Sequence, residues 1–196
     1  MVQTAQAATA RGQRRREAIV AAATDLFDRQ GYHGTSIDDI GAAAGISGPG
    51  LYRHFDGKDA ILTAVFDHIW ERLRPVVATA SSLAPGTALA SLVDAHVDLA
   101  LEDAAALMLL SRELRHVPED YQRLAVRNHG RYVDAWADPI RALHPELTVE
   151  ASRAVAVAAH GLIDSAARRP AIAPTEERRE LLRRLALDVV LHLGVR

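Results

Sequence analysis

Along most of the chain, apolar positions recur at three- and four-residue spacing, the period of a helix with one buried face. Ile19, Ala22, Ala23, Leu26 and Phe27 form the first such stripe, after Arg14–Arg16 and before Gly31. That pattern predicts a helix of about four turns that stops at the glycine. Between Tyr32 and Asp59 the pattern breaks into short pieces set off by glycines. Ser36 has the chemistry of an N-cap for a helix carrying Ile37, Ile40 and Ala44, with Asp38 and Asp39 in its first turn and Gly45 at its end. Ser47 stands in the same relation to a second short helix, Gly48–Phe55, whose Pro49 sits where a missing N–H does no harm. Asp56 would cap a third, running through Ile61, Leu62, Val65, Phe66, Ile69, Trp70 and Leu73 until Pro75. Two short helices joined by a tight glycine-containing turn make a helix-turn-helix pattern.

Longer amphipathic segments follow Ser81–Gly86, at about 87–103, 105–115, 118–143, 149–168 and 175–193. Pro118, Pro139, Pro145, Pro170 and Pro174 punctuate them, and Pro139 should kink or stop its helix. Thr148 and Thr175 are N-caps, each followed by glutamate. β-Branched runs bounded by turns are absent, and alanine, the strongest helix former, makes up roughly a fifth of the chain. The expected architecture is all-α: an N-terminal three-helix head carrying the helix-turn-helix, on a larger helical body. Its units are a disordered arm over 1–12, the head over 13–58 and the body over 59–196.

Charge at first argues against a nucleic-acid partner, since 23 basic and 25 acidic residues leave a net charge of −2. The distribution softens that objection: residues 1–58 carry +1 and residues 59–196 carry −3. Lys58 is the only lysine; every other basic side chain is arginine. There is no cysteine, hence no disulfide, thiol nucleophile or cysteine-bound metal. No window is apolar over the 18 to 20 residues that span a bilayer, and MVQTAQAATARGQRRRE lacks the apolar core of a signal peptide, so a cytoplasmic protein is expected.

None of the nine histidines falls in an H-x-x-x-H or H-E-x-x-H arrangement. Asp94, His96 and Asp98 alternate and so diverge on a helix, while His160 and Asp164 are four apart and could hydrogen-bond. There is no G-x-S-x-G elbow, P-loop or G-x-G-x-x-G. The expectation is a non-enzyme without metal or cofactor.

Within residues 14–66 stand, in order, an aromatic in the first helix, G-Y-x-G-T-S, I-x-x-I, A-G-I-S and L-Y-x-H-F-x-x-K. Read together, these fifty residues resemble the DNA-binding head of the TetR family of bacterial repressors. The resemblance covers about the first third of the chain. It implies a homodimer on a palindromic double-stranded DNA operator, with Thr35, Tyr52, His54 and Lys58 on the phosphate backbone. Ser36, Ser47, Gly48, Pro49 and Arg53 complete the implied DNA surface. Gly48 and Gly50 offer no side chain to a base edge, so readout would lean on Tyr52, Arg53 and contact near Pro49. Arg11 with Arg14–Arg16 is either an arm for a neighbouring minor groove or a solvated helix start.

The body would then bind a small apolar or amphipathic effector and dimerise. The resemblance places the dimer on the helices near 149–168 and 175–193. The first is rich in alanine, and the second carries Leu181, Leu182, Leu185, Val189 and Leu193 opposite Arg178, Arg179, Arg183 and Arg184. Polar and aromatic groups on otherwise apolar stretches are the ligand candidates: Trp70, His96, Met108, Arg112, His129, Tyr132, Trp136 and His160. The function expected is a ligand-released repressor. A helical small-molecule-binding protein that no longer reads DNA, a corepressor-dependent regulator and an activator remain alternatives.

Overall fold

Packing of helix on helix builds the whole of the described chain, which in a computed structural model comprises residues 2–168 and 175–192, with side chains from residue 11 onward. The helices are α1 (Val2–Gly34), α2 (Ile37–Ala43), α3 (Gly48–Leu51), α4 (Lys58–Ala80), α5 (Pro85–Glu102), α6 (Ala104–Glu113), α7 (Glu119–Leu143), α8 (Val149–Ala167) and α9 (Glu176–Leu191). A single 3-10 turn, Leu114–His116, follows α6. Pro170, Pro174 and Leu193 lie outside the described residues. Among the described residues, no helix is long and apolar enough to cross a membrane.

In the head, α1 buries Ile19, Ala23 and Phe27, the predicted stripe, against Ile40, Leu51 and Phe55 and the start of α4. Ser36 caps α2 with a reciprocal box: its hydroxyl accepts from Asp39 N–H while the Asp39 carboxylate accepts from Ser36 N–H. Gly45 turns the chain between α2 and α3 with φ +65, a left-handed conformation that glycine adopts without steric penalty. Gly41 serves a different need. A Cβ there would lie 2.8 Å from the Ile46 carbonyl oxygen, which itself comes down to accept no side chain but to sit over α2, where Ile46 N–H donates to Gly41 O at 2.8 Å.

The body is organised around α5, which buries Leu89, Leu92, Val93, His96, Val97, Leu99 and Ala100 and packs on α4, α7, α8 and α9. Thr148 and Thr175 cap α8 and α9 as expected, accepting from Ala151 and Arg178 N–H. On α9, Ala186 and Val190 are buried, but much of its contact with α5 is ionic: Arg183 pairs with Asp94, and Arg179 with Asp98 and Glu102.

Three elements depart from expectation: α1 at its start, α4 and α3. The arm expected to be disordered over 1–12 is instead continuous with α1 from Val2, because its alanines are strong helix formers and extend the helix. At Gly31 the helix breaks where the sequence places its stop, with non-helical φ +75 and ψ 163, and a further short turn beyond the kink reaches Gly34. Pro75 does not end α4, which runs to Ala80; Pro75 and Glu71, whose carbonyl loses its helical donor, are both exposed, so the lost bond lies at the surface. Pro139 lies near the end of α7, within the helix expected there. The recognition helix α3 spans only four residues, shortened by its two glycines, and Gly57 rather than Asp56 precedes α4 as its N-cap.

Two glycine substitutions should therefore move stability in opposite directions in urea denaturation. Gly41→Ala forces the α2–α3 turn apart and should cost about 1–3 kcal/mol. Gly12→Ala, inside α1 with nothing within 4 Å of the new Cβ, should stabilise by about 0.5–1 kcal/mol.

Candidate DNA-binding face and effector cavity

On the recognition segment, Pro49, Tyr52 and Arg53 stand three and four residues apart, share one face and are all exposed, Tyr52 at 56%. Ser36 and Ser47 at the two helix starts are exposed as well. Gly48 is half-buried near Asp38, and Gly50 is buried, its missing Cβ leaving room for Ile46 Cγ2. Gly50 thus packs the turn, which relieves it of any reading role. His54 is half-buried, and its carbonyl accepts from Arg16 Nη1 at 2.8 Å. The Arg16 guanidinium also lies 3.9 Å from the Phe55 ring centroid, so Arg16 ties α1 to the end of the recognition segment and is no free arm. Arg11 and Arg15 are exposed on α1.

Two residues implied to hold phosphate turn inward instead. Thr35 is buried, and its hydroxyl donates to Gly31 O at 3.0 Å. Lys58 Nζ donates to Tyr32 O at 2.7 Å and Thr35 O at 2.8 Å, closing the carbonyl end of α1, and lies 4.4 Å from the Tyr32 ring centroid. A cation is favoured at a helix C-terminus by the orphan carbonyls and the dipole. These side chains are spent on holding the head together because the chain folds their carbonyl acceptors to within reach, a long-range fact that spacing does not carry.

Tyr32 also joins head to body. Its ring stacks on His116 at 4.8 Å, nearly parallel, and His33 meets His116 edge-on at 4.5 Å. Burial, then His33 and Arg115, hold the His116 imidazole below its ordinary range. Arg112, a ligand candidate, reaches instead across the same junction to Asp28 at 3.3 Å.

A cavity of about 320 Å³ opens between α4, α5, α6, α7 and α8. It brings together six of the eight ligand candidates: Trp70, His96, Met108, His129, Tyr132 and His160. Trp136 is fully buried behind this wall, edge-on to His160 at 4.6 Å, and supports it without lining it. His96 Nε2 bonds Asp164 Oδ1 at 2.9 Å and its Nδ1 meets Tyr132 Oη at 2.8 Å. Asp164 therefore pairs with His96 on another helix, not with His160 on its own. A carboxylate only accepts, so His96 Nε2 carries the proton and, in the neutral ring, Nδ1 accepts from the Tyr132 hydroxyl. His96, Tyr132 and His160 form a parallel stack, with ring centroids 4.8 Å and 5.0 Å from His160. Burial and the neighbouring Asp164 raise the Tyr132 phenol well above its ordinary value.

Sequence reasoning missed the apolar lining from Leu99, Leu107, Leu110, Leu114 and Val126, as well as Arg168 at the end of α8. Helical periodicity marks such positions as core and cannot tell a filled interior from a hollow one.

Burial, followed by the neighbouring His96 and His129, pushes the His160 imidazole down to about 2 from its ordinary 6.5. The unfolded chain thus binds a proton that the folded chain refuses once the pH drops below 6.5, and stability is lost on the acid side. Above pH 6.5 the effect vanishes. His160→Phe should flatten acid denaturation between pH 6 and 4 by up to about 1.4 kcal/mol per pH unit, read from urea midpoints at each pH.

Comparison with known proteins bears on both sites. The sequence model described as "Bacterial regulatory proteins, tetR family" matches residues 19–65, which run from α1 through the helix-turn-helix into α4. The HTH-type transcriptional repressor Rv3405c of Mycobacterium tuberculosis is 38% identical over 79 residues, and the matched stretch spans 40% of each chain. A TetR-family transcriptional regulator from Bordetella parapertussis superposes with a TM-score of 0.77 at 23% identity, over 91% of this chain and 95% of its own. AibR, in complex with isovaleryl coenzyme A and operator DNA, superposes with a TM-score of 0.70 at 18% identity, over 89% and 96%. At those identities the structures speak for the fold of the whole chain, and the sequence match for its head. Residues 19–65 are thus similar to the DNA-binding head of the tetR family of bacterial regulatory proteins, and the chain as a whole shares the all-helical fold of these solved structures.

Proposed function

We propose that the chain is a transcriptional repressor that binds a two-fold symmetric operator as a homodimer and is released by a small molecule held in the body cavity. The observation that carries this reading is mechanical continuity between cavity and head. Helix α4 bears Lys58 at the head and Ile69, Trp70 and Leu73 in the cavity wall. The segment from α6 into the 3-10 turn bears Leu107, Met108, Ser111 and Leu114 in that wall, Arg112 on Asp28, and His116 on Tyr32. An occupant that pushes these walls apart shifts both supports of the head together. A ligand works such a switch only by preferring one state, and moving it from 1:99 to 99:1 takes about 5.5 kcal/mol of preference.

On DNA, Pro49, Tyr52 and Arg53 would enter the major groove, with Ser36, Ser47 and His54 toward the flanking phosphates. Arg53 is the one side chain there able to bond guanine in two places. Thr35 and Lys58 would contribute through the backbone they hold. In the body, Arg168 lines the cavity, is exposed and has no ion-pair partner among the described residues. It suits the anionic end of an amphipathic effector, with the apolar end inside. AibR's isovaleryl coenzyme A has that form. A cavity near the lower end of the usual range would take the acyl part and leave the carrier outside.

The dimer would form on α8 and α9. Ala154, Val157, Ala158 and Gly161 leave an exposed face of small side chains on α8, and Leu181 and Leu185 stand 46% and 43% exposed on α9. Helix α9 keeps Arg179 and Arg183 for its own body and turns these leucines outward, the reverse of a monomer's usual arrangement. The four-residue α3 favours the rival reading of a body that binds ligand beside a head that no longer reads DNA.

Selection from random duplex DNA separates the two. A repressor enriches a palindrome with half-sites about 34–36 Å, or a multiple, apart; no enriched motif at low salt would sink the DNA reading. Arg53→Ala should lower affinity by about 1–3 kcal/mol and relax preference at one base pair, measured by mobility shift on operator variants. Leu181→Glu with Leu185→Glu should give a monomer in light scattering, with helical content retained and operator affinity lost.

A further inference from the structure

Positive charge in the head does not sit on the helix-turn-helix. Residues 36–59 carry two basic side chains, Arg53 and Lys58, against four acidic ones, Asp38, Asp39, Asp56 and Asp59, a net −2. Lys58 is moreover spent on the carbonyls of Tyr32 and Thr35. Arg53 is then the one permanent cation of the recognition segment, which is little against a duplex bearing a phosphate charge about every 1.7 Å of its axis. Residues 11–16, by contrast, hold four arginines and no acid.

The fold brings that basic stretch to the recognition segment. Arg16 donates to His54 O at 2.8 Å and lies over the Phe55 ring, so this turn of α1 stands against the end of the segment. Successive helical residues turn by about 100°. With Arg16 on His54, Glu17 falls on one flank and lines the cleft that α1 makes with α4 and the start of α6 in the body. Arg15 falls on the other flank, turned away from the body, and Arg11 lies one turn before it on the same face. Both are exposed, and neither side chain has a hydrogen-bond or ion-pair partner among the described residues. Like charges four apart weaken a helix, so the pair gives the fold nothing.

We propose that Arg11 and Arg15 form a second DNA contact, a two-cation clamp on the phosphate backbone beside each half-site. The inference rests on the DNA-binding reading and deepens it by dividing the labour: the clamp supplies affinity and register, and Arg53 supplies sequence. A guanidinium bonds two phosphate oxygens at once and stays charged at any working pH. Phosphate contacts position a protein on the duplex without reading its sequence. That suits a head whose recognition segment has glycine at 48 and 50 and is short of both base readers and charge. Arg11 and Arg15 both stand within α1, about 6 Å apart along its axis, so the clamp exists before DNA arrives and no segment has to order on binding.

The test compares the unchanged full chain with a variant carrying Arg11→Gln and Arg15→Gln. Each is titrated by fluorescence anisotropy against an operator taken from the duplex selection and against a scrambled duplex of the same length, between about 50 and 200 mM KCl. Every lost phosphate contact removes about 0.9 from the slope of log affinity on log salt, so losing two per head should flatten a dimer's slope by roughly 3 to 4. Affinity should fall by the same factor on both duplexes, and the urea midpoint should hold or rise as the like-charge pair disappears. A scan of single methylphosphonate substitutions, each neutralising one phosphate of the operator, then locates the clamp. At least one position should weaken the unchanged chain and leave the variant unaffected. An unchanged slope, or no such position, overturns the clamp and leaves the DNA reading intact. A slope that flattens only together with a fall in the urea midpoint assigns the two arginines to the fold and overturns the clamp as well. If the unchanged chain selects no operator, the DNA reading itself fails, and this inference with it.

Discussion

One ammonium group holds the architecture's critical joint. Lys58 Nζ closes the carbonyl end of α1 through Tyr32 O and Thr35 O, and it does so from the first residue of α4. Without that cation, the carbonyls of Tyr32 and Thr35 would lose their side-chain donor, and the junction would rest on packing and on the Arg112–Asp28 ion pair. The cation also lies over the Tyr32 ring, whose other contact is the stacked His116. Three elements distant in sequence, α1, α4 and the 3-10 turn after α6, thereby share one small cluster of charge and aromatic surface. An arginine would fit this role poorly, since its planar fork does not converge two carbonyls on a single point charge. That gives the only lysine in an otherwise arginine-based chain a physical reason.

In the proposed switch, the body is hollow beside the elements that support the head. Ion pairs join α5 to α9, and α5 carries a buried apolar column. The cavity instead lies between α4 and α6, the two elements that touch the head, and its back wall is a stack of aromatic rings locked by the Asp164–His96–Tyr132 chain. In the proposed switch, this rear wall and a front wall made of the coupling helices would direct any displacement toward the head. The packed interior elsewhere would resist and transmit that displacement, because close-packed side chains have no slack to absorb it.

Much of the local structure, in the head and at one body cap, was legible in the sequence. Caps at Ser36 and Thr148, the glycine turn at Gly45 and the stripe from Ile19 to Phe27 follow from rules that act within four or five residues. Local rules also misled where tertiary context outweighs them. Pro75 looks like a stop, yet α4 runs through it to Ala80. The alanine-rich start looks unstructured by polarity but continues α1. In the cavity, aromatic and histidine spacing located Trp70, His96, Met108, His129, Tyr132 and His160, whereas Arg112 and Trp136 sit outside it. The partner of Asp164 lies 68 residues away in sequence, on a helix that no periodicity connects to it.

By itself, the sequence determined the all-helical class, the helix-turn-helix and the family that its head resembles, since these depend on propensity, capping and short-range spacing. Only the tertiary structure decided which polar groups face outward to a partner and which are consumed inside. Thr35 and Lys58 have the chemistry to meet phosphate, but the fold brings carbonyls to them first. Trp70 and His160 have ring nitrogens able to bond, but the fold buries Trp70 Nε1 and His160 Nε2 without a partner. The difference is physical: hydrogen bonding is decided by which partner arrives within about 3 Å. Between segments far apart in the chain, that proximity is set by packing and not by sequence spacing.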